Sequence, residues 1–114
     1  MPHIIVEYSE QLFETSEVQS MLQTIHQSIV RSRLFDDSHI KIRAYPFKEY
    51  SNAGEKNPYI HVQARIKSGR DVDNKKRLSQ EILIGLKTLN LRASVVTVEI
   101  IDMDRDSYSK YIPK

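Results

Sequence analysis

Tyr59–Lys67 reads YIHVQARIK, and its apolar residues fall on every second position, with Ile60, Val62, Ala64 and Ile66 set against Tyr59, His61, Gln63 and Arg65. A period of two is the signature of a β-strand with one covered face and one uncovered face. Downstream, SGRD supplies a turn, and Asp71 or Asp73 can cap a helix that carries Leu78, Ile82, Leu86 and Leu89 on one stripe. SVVTVEIIDMD then reads as a further strand. Upstream, the polar stretch KEYSNAGEKNP carries Gly54 and Pro58 and is the one convincing interior loop. Before it, HIKIRAYPF sets Ile40, Ile42 and Ala44 against Lys41, Arg43 and Tyr45, and Pro46 is expected to end that strand. Val18, Met21, Leu22, Ile25 and Ile29 form a helical stripe, with Ser16 as its expected cap. The chain opens on HIIVEY, where Ile4 and Val6 alternate with Ile5 and Glu7.

A β-α-β unit therefore occurs twice, its matching pieces nearly sixty residues apart. Each crossover is expected to be right-handed, and two of them can place both helices on one face of the sheet. The predicted fold class is α+β: a single domain over residues 1–114, with a four-stranded mixed sheet and two helices on one face. A chain of this length buries roughly two thirds of its unfolded surface and folds without staples. The other sheet face would present Lys41, Arg43, Tyr45, Tyr59, His61, Gln63 and Arg65 with no helix over them. The first and last strands carry apolar residues on both faces, as Ile4, Ile5, Val6 and Val95, Val96, Val98, Ile100 and Ile101 show, and such strands are normally covered on both sides. A partner subunit would supply that cover. The competing architecture is a monomeric ferredoxin-like βαββαβ domain whose open face meets solvent or a ligand. On pattern alone both stay open.

Composition narrows the function. The 17 basic and 15 acidic residues are intermixed and leave a formal charge of +2, so there is no basic tail and no expectation of a nucleic-acid partner. There is no cysteine, hence neither a disulfide framework nor a thiolate metal site, and no apolar run suits a leader or a membrane span. A cytoplasmic protein without a membrane partner is expected. His3, His26, His39 and His61 lack ligand spacing, and three glycines are too few for a phosphate cradle, so neither a metal nor a cofactor is expected.

Attention then falls on Pro2. Removal of Met1 would leave it as a free secondary amine capping a strand, a base whose ordinary range lies near neutrality. A cation about 8 Å away, at an effective dielectric of about 20, opposes its protonation by about 2 kcal/mol, on the order of 1.5 pKa units. The candidate cations are Lys41 and Arg43, two apart on one strand face, and Arg70, which follows Gly69 in a strand-to-helix turn where backbone N–H groups also favour anions.

MPHIIVEYSE at the start, HV within the third strand, IKSGRDVDNKKRLSQEI leading into the second helix and VEI in the last strand together resemble the 5-carboxymethyl-2-hydroxymuconate isomerase branch of the tautomerase superfamily, in order over essentially the whole chain. The resemblance implies a homotrimer packed around a central axis. It implies a cofactor-free isomerase that moves a proton within a small unsaturated 2-hydroxy or 2-oxo acid, with Pro2 as general base and then acid. It also implies arginines near the substrate at the positions of Lys41 and Arg70. The chain departs at the first, since lysine offers a point charge and not the planar fork of arginine. Pro2 is thus the expected catalytic residue, and Lys41, Arg43 and Arg70 the expected substrate-binding residues. The alternative is a non-catalytic module on a tautomerase or ferredoxin-like fold, using the Tyr-bearing sheet face for an acidic ligand or RNA. A retained Met1 is expected at the mouth of a pocket formed by Pro2, Lys41, Arg43 and Arg70.

Overall fold

A computed structural model describes residues 1–114. It contains β1 (His3–Ser9), α1 (Thr15–Ser32), β2 (Lys41–Phe47), β3 (Tyr59–Lys67), α2 (Val72–Lys87) and β4 (Val95–Met103), with short 3-10 turns at Glu10–Leu12 and Asp37–His39. The sheet order is β2-β1-β3-β4. β1 runs parallel to β2, β3 runs parallel to β4, and the two halves meet through the antiparallel pair β1 and β3. In the ferredoxin-like split βαβ, another strand separates the two that a helix connects. Here β1 and β2 are bonded directly, so that architecture is excluded.

The alternation read from Tyr59–Lys67 governs the whole sheet. Ile4 and Val6 of β1 and Ile60, Val62, Ala64 and Ile66 of β3 are fully buried, and Met21, Ile25, Ile29, Leu78, Ile82 and Leu86 of the two helices close the same core. The helices approach each other closely at Gly85, where a Cβ would sit 2.0 Å from Ser28 Oγ. On the opposite face the register aligns Lys41, His3, Arg65 and Ile101 in one row, Arg43, Ile5, Gln63 and Glu99 in the next, and Tyr45, Glu7, His61 and Thr97 in a third. No helix covers these rows. The outer face of β4 is mixed rather than apolar, because Thr97 and Glu99 alternate with Val95, Ile101 and Met103.

Two local expectations are corrected. Pro46 does not end its strand: β2 continues to Phe47, with Pro46 paired to Tyr8. β2 lies at the sheet edge, where a residue without an N–H donor removes no second ladder. The cap of α1 is Glu14 and not Ser16. The Glu14 side chain accepts from the backbone of Glu17, whose own carboxylate accepts from Glu14 N at 2.7 Å, so two orphan donors are satisfied together. The second helix begins as read, with the Asp71 carboxylate accepting from Asn74 N at 2.8 Å. No helix is long and apolar enough to cross a membrane.

Candidate active site

The amino terminus, the end of β3 and the end of α1 converge on one corner of the molecule. Pro2 is buried at the head of β1, and its carbonyl accepts the backbone N–H of Lys41 at 3.2 Å, which ties the start of β2 to the terminus. β3 ends at Lys67, and the turn that follows passes through Gly69 at φ 122°, a left-handed value that favours glycine. Arg105, just beyond β4, lies over that turn and donates from Nε to the Ser68 carbonyl at 3.0 Å. α1 stops at Arg33 in the left-handed region, φ 60°, which turns Leu34, Phe35 and Asp36 toward the same corner.

These segments enclose a cavity of about 430 Å³ lined by Met1, Phe35, Lys67, Arg70 and Arg105, together with Arg33, Leu34, Asp36 and His39. Four permanent cations thus face one carboxylate. Arg70 is fixed by an Nη2 donation to the Leu34 carbonyl at 2.7 Å and by its guanidinium lying 4.7 Å from the Phe35 ring centre. That leaves most of its five donors uncommitted. Lys67 has its ammonium 5.1 Å above the Tyr108 ring, and the Tyr108 hydroxyl lies 2.9 Å from His3 Nε2.

Titration follows from this crowd of charge. The terminal ammonium is held below its ordinary value of 8.0, first by desolvation and then by Lys67, Lys110, Arg70 and Lys41. The His3 imidazole is held below 6.5, again first by desolvation, then by Arg43, Lys41, the terminal ammonium and Arg65. This corner disfavours added protons and suits anions.

Among the residues expected from the sequence, Arg70 and the Met1–Pro2 terminus come together. Lys41 is exposed on the open face opposite His3 and does not line the cavity, although its charge reaches the amine. Arg43 stands one step further along β2, opposite Ile5, where its charge reaches His3. Met1 borders the cavity beside Arg70, while Pro2 lies beneath it and is not part of the lining. Lys67 was legible, since the alternation of β3 carries one step past Arg65 onto the same face. Arg105 and Tyr108 follow the last strand without any period, and Phe35 and Leu34 lie between elements. No pattern in the sequence marks them.

The sequence model of the 5-carboxymethyl-2-hydroxymuconate isomerase family matches residues 2–103. No curated protein sequence matches the chain. Among solved structures, a 5-carboxymethyl-2-hydroxymuconate isomerase from Deinococcus radiodurans R1 is similar at 23% identity and TM-score 0.81, over 96% of this chain and 88% of that one. A 5-carboxymethyl-2-hydroxymuconate delta-isomerase superposes with TM-score 0.80 at 18% identity, over 99% and 89% of the two chains. A fused 4-OT symmetric trimer does so with TM-score 0.81 at 15% identity, over 96% and 93%.

Proposed function

Since the chain belongs to the 5-carboxymethyl-2-hydroxymuconate isomerase family, matched over residues 2–103, we propose that it is a cofactor-free tautomerase of small unsaturated 2-hydroxy or 2-oxo acids, working from Pro2 once Met1 is removed. With Met1 in place the Pro2 nitrogen is an amide whose lone pair is delocalised into the carbonyl, and it cannot take a proton near neutrality. Removal moves the amine one residue inward, about 3.8 Å along the chain. The free amine takes the proton from the enol hydroxyl, the electron pair closes a carbonyl as the double bond shifts, and the resulting ammonium returns the proton to carbon. Substrate and product differ only in the positions of that proton and of the double bond. Arg70, Lys67 and Arg105 hold carboxylates and the negative charge that develops on oxygen. Lys41 and Arg43 act from the rim.

The observation that carries this reading is the cavity with four cations at the amino terminus, where the Met1 amine that Pro2 would replace is already depressed. A base that returns its proton at neutral pH has to be largely unprotonated beforehand, and an anionic substrate has to be drawn in; desolvation serves the first need, and Lys67 and Arg70 serve both. Ultraviolet monitoring of ketonisation of 2-hydroxymuconate and phenylenolpyruvate tests it. Protein processed to a free Pro2 is expected to turn these enols over, and the Met1-retaining form to be inactive. Equal rates from two forms verified by intact mass would remove Pro2 from the mechanism.

The helix-free sheet face supports a homotrimer, as does similarity to a fused 4-OT trimer. Ile5, Ile101 and Val95 on that face gain cover when subunits pack sheet to sheet. Light scattering at micromolar concentration is expected to give about three times the chain mass, and a stable monomer refutes the assembly.

A further inference from the structure

The duplication goes deeper than the order of elements. Val62 follows Val6 by 56 residues, and the two face each other across the β1 and β3 pair. A local two-fold axis therefore passes between them and relates β1 to β3 at an offset of 56 residues, while the helices correspond at 57, as the caps Glu14 and Asp71, the core residues Met21 and Leu78, and the left-handed residues Arg33 and Asn90 show. Pro2 maps onto Pro58. Both prolines stand just ahead of a strand, and both carbonyls accept a backbone N–H from the head of the neighbouring parallel strand: Lys41 to Pro2 at 3.2 Å, Ser94 to Pro58 at 2.7 Å.

The axis carries the cavity with it. Arg33 to Phe35, which border the cavity at the amino terminus, map onto Asn90 to Arg92, and Lys67 maps onto Gln11. At the opposite end of the sheet these counterparts, together with Pro58, line a second cavity of about 600 Å³. Its volume falls within the range of small-molecule sites. The architecture is repeated, and the chemistry is not. Lys67 is replaced by Gln11, Arg33 by Asn90, and Arg70 by Phe13, which precedes the cap Glu14 as Arg70 precedes the cap Asp71. The only charged residues in the lining are Glu17 and Arg92, which offset each other. Phe13, Met21, Leu89 and Leu91 supply an apolar wall, and Ser16, Ser20 and Asn90 supply hydroxyl and amide groups. Pro58 is locked in an interior amide, so the terminal amine of the other half has no counterpart.

We propose that this second cavity is a non-catalytic binding site for a small uncharged aromatic molecule bearing a hydroxyl group. A dianion gains nothing from a lining without net charge and would lose its water. A single neutral ring buries its carbon frame against the leucines and Phe13, and its hydroxyl meets the polar groups.

p-Cresol, a phenol that stays neutral at pH 7, is the probe. Titrated into the full-length protein and followed by amide chemical shifts, it is expected to give saturable shifts at Phe13, Ser20 and Leu91 and none at Lys67 or Arg70. Maleate, a dianion, is expected to leave the p-cresol shifts in place. Ser20→Trp, at an exposed position of α1, fills the groove and is expected to weaken binding at least tenfold. Asn90→Arg restores the cation that Arg33 supplies in the other half and is expected to weaken p-cresol likewise while admitting maleate. The proposal is overturned if shifts gather around Lys67 and Arg70, if p-cresol shows no saturation, or if a folded Ser20→Trp protein binds p-cresol unchanged.

Discussion

The two faces of the one sheet do different work. On the helix side, Ile4, Val6, Ile60, Val62, Ala64 and Ile66 are inaccessible to solvent and carry no polar group. On the other side the sheet presents Lys41, Arg43, His61, Gln63 and Glu99, with His61 bridging Thr97 Oγ1 at 2.6 Å and Glu99 Oε2 at 2.5 Å. Consecutive residues of one strand thus answer to separate constraints. The covered face is bound by packing density, where a lost methyl group leaves a void. The open face and its upper corner are bound by charge, and a change there alters titration and anion binding before it alters stability.

Neighbouring residues of β1 give the sharpest way to break this contrast. Ile4→Ala is expected to cost about 2–5 kcal/mol in denaturant unfolding, because it opens a cavity in the core. Ile5→Ala removes the same atoms from the open face and is expected to cost clearly less per chain, while making unfolding more dependent on protein concentration as subunit contacts weaken. Equal costs, without concentration dependence, would erase the distinction between the faces.

Next in size is Arg70→Ala, which is expected to lower kcat/KM at least about tenfold, or roughly 1.4 kcal/mol. A drop in stability without a drop in kcat/KM would reduce Arg70 to its contacts with Leu34 and Phe35. Lys41→Arg is expected to have a smaller effect, in the opposite direction: it supplies a planar fork at the rim and raises turnover of a muconate-type diacid. Unchanged kinetics would mean that Lys41 acts on the amine through charge alone.

The smallest effects concern pH. The Met1 amine is lowered by desolvation and then by Lys67; the Pro2 amine that replaces it one residue inward is expected to meet the same charges, so kcat/KM of the processed protein is expected to rise with pH through an inflection as that amine loses its proton. Lys67→Met removes a cation that opposes the ammonium, so the inflection should move up; a downward move would contradict the assignment. His3 is held below 6.5 in the folded chain, so the folded state binds fewer protons than the unfolded state just below that pH. Stability contributed there rises as pH rises toward 6.5 and is lost on acidification. His3→Gln is expected to flatten that slope in urea titrations at several pH values.

Local pattern made much of the fold legible. Alternation in β1, β2 and β3 assigned each side chain its face, the helical stripes identified Met21, Ile25, Ile29, Leu78, Ile82 and Leu86, and Asp71 marked the start of α2. The misreadings arose where two local solutions compete. Ser16 and Glu14 can both cap, and the reciprocal bonds with Glu17 favour Glu14. Pro46 can break a strand, and the edge position of β2 removes the reason to.

The sequence alone determined periodicity, face and the presence of a proline behind the first methionine, because each is a property of residues close together in the chain, and the doubling of the β-α-β unit, because it follows from the order of those local patterns. Which strands became neighbours, and what surrounds that proline, was decided only in three dimensions. Arg33, Lys67, Arg70 and Arg105 are scattered over more than half of the chain and share no spacing. They meet because β3 lies antiparallel to β1, which carries the end of one strand to the beginning of the other, and because α1 ends at that same edge. Desolvation and Coulomb interactions both depend on arrangement through space, so the burial and the charges of Lys67 and Arg70 that depress the terminal amine became visible only once the chain was folded.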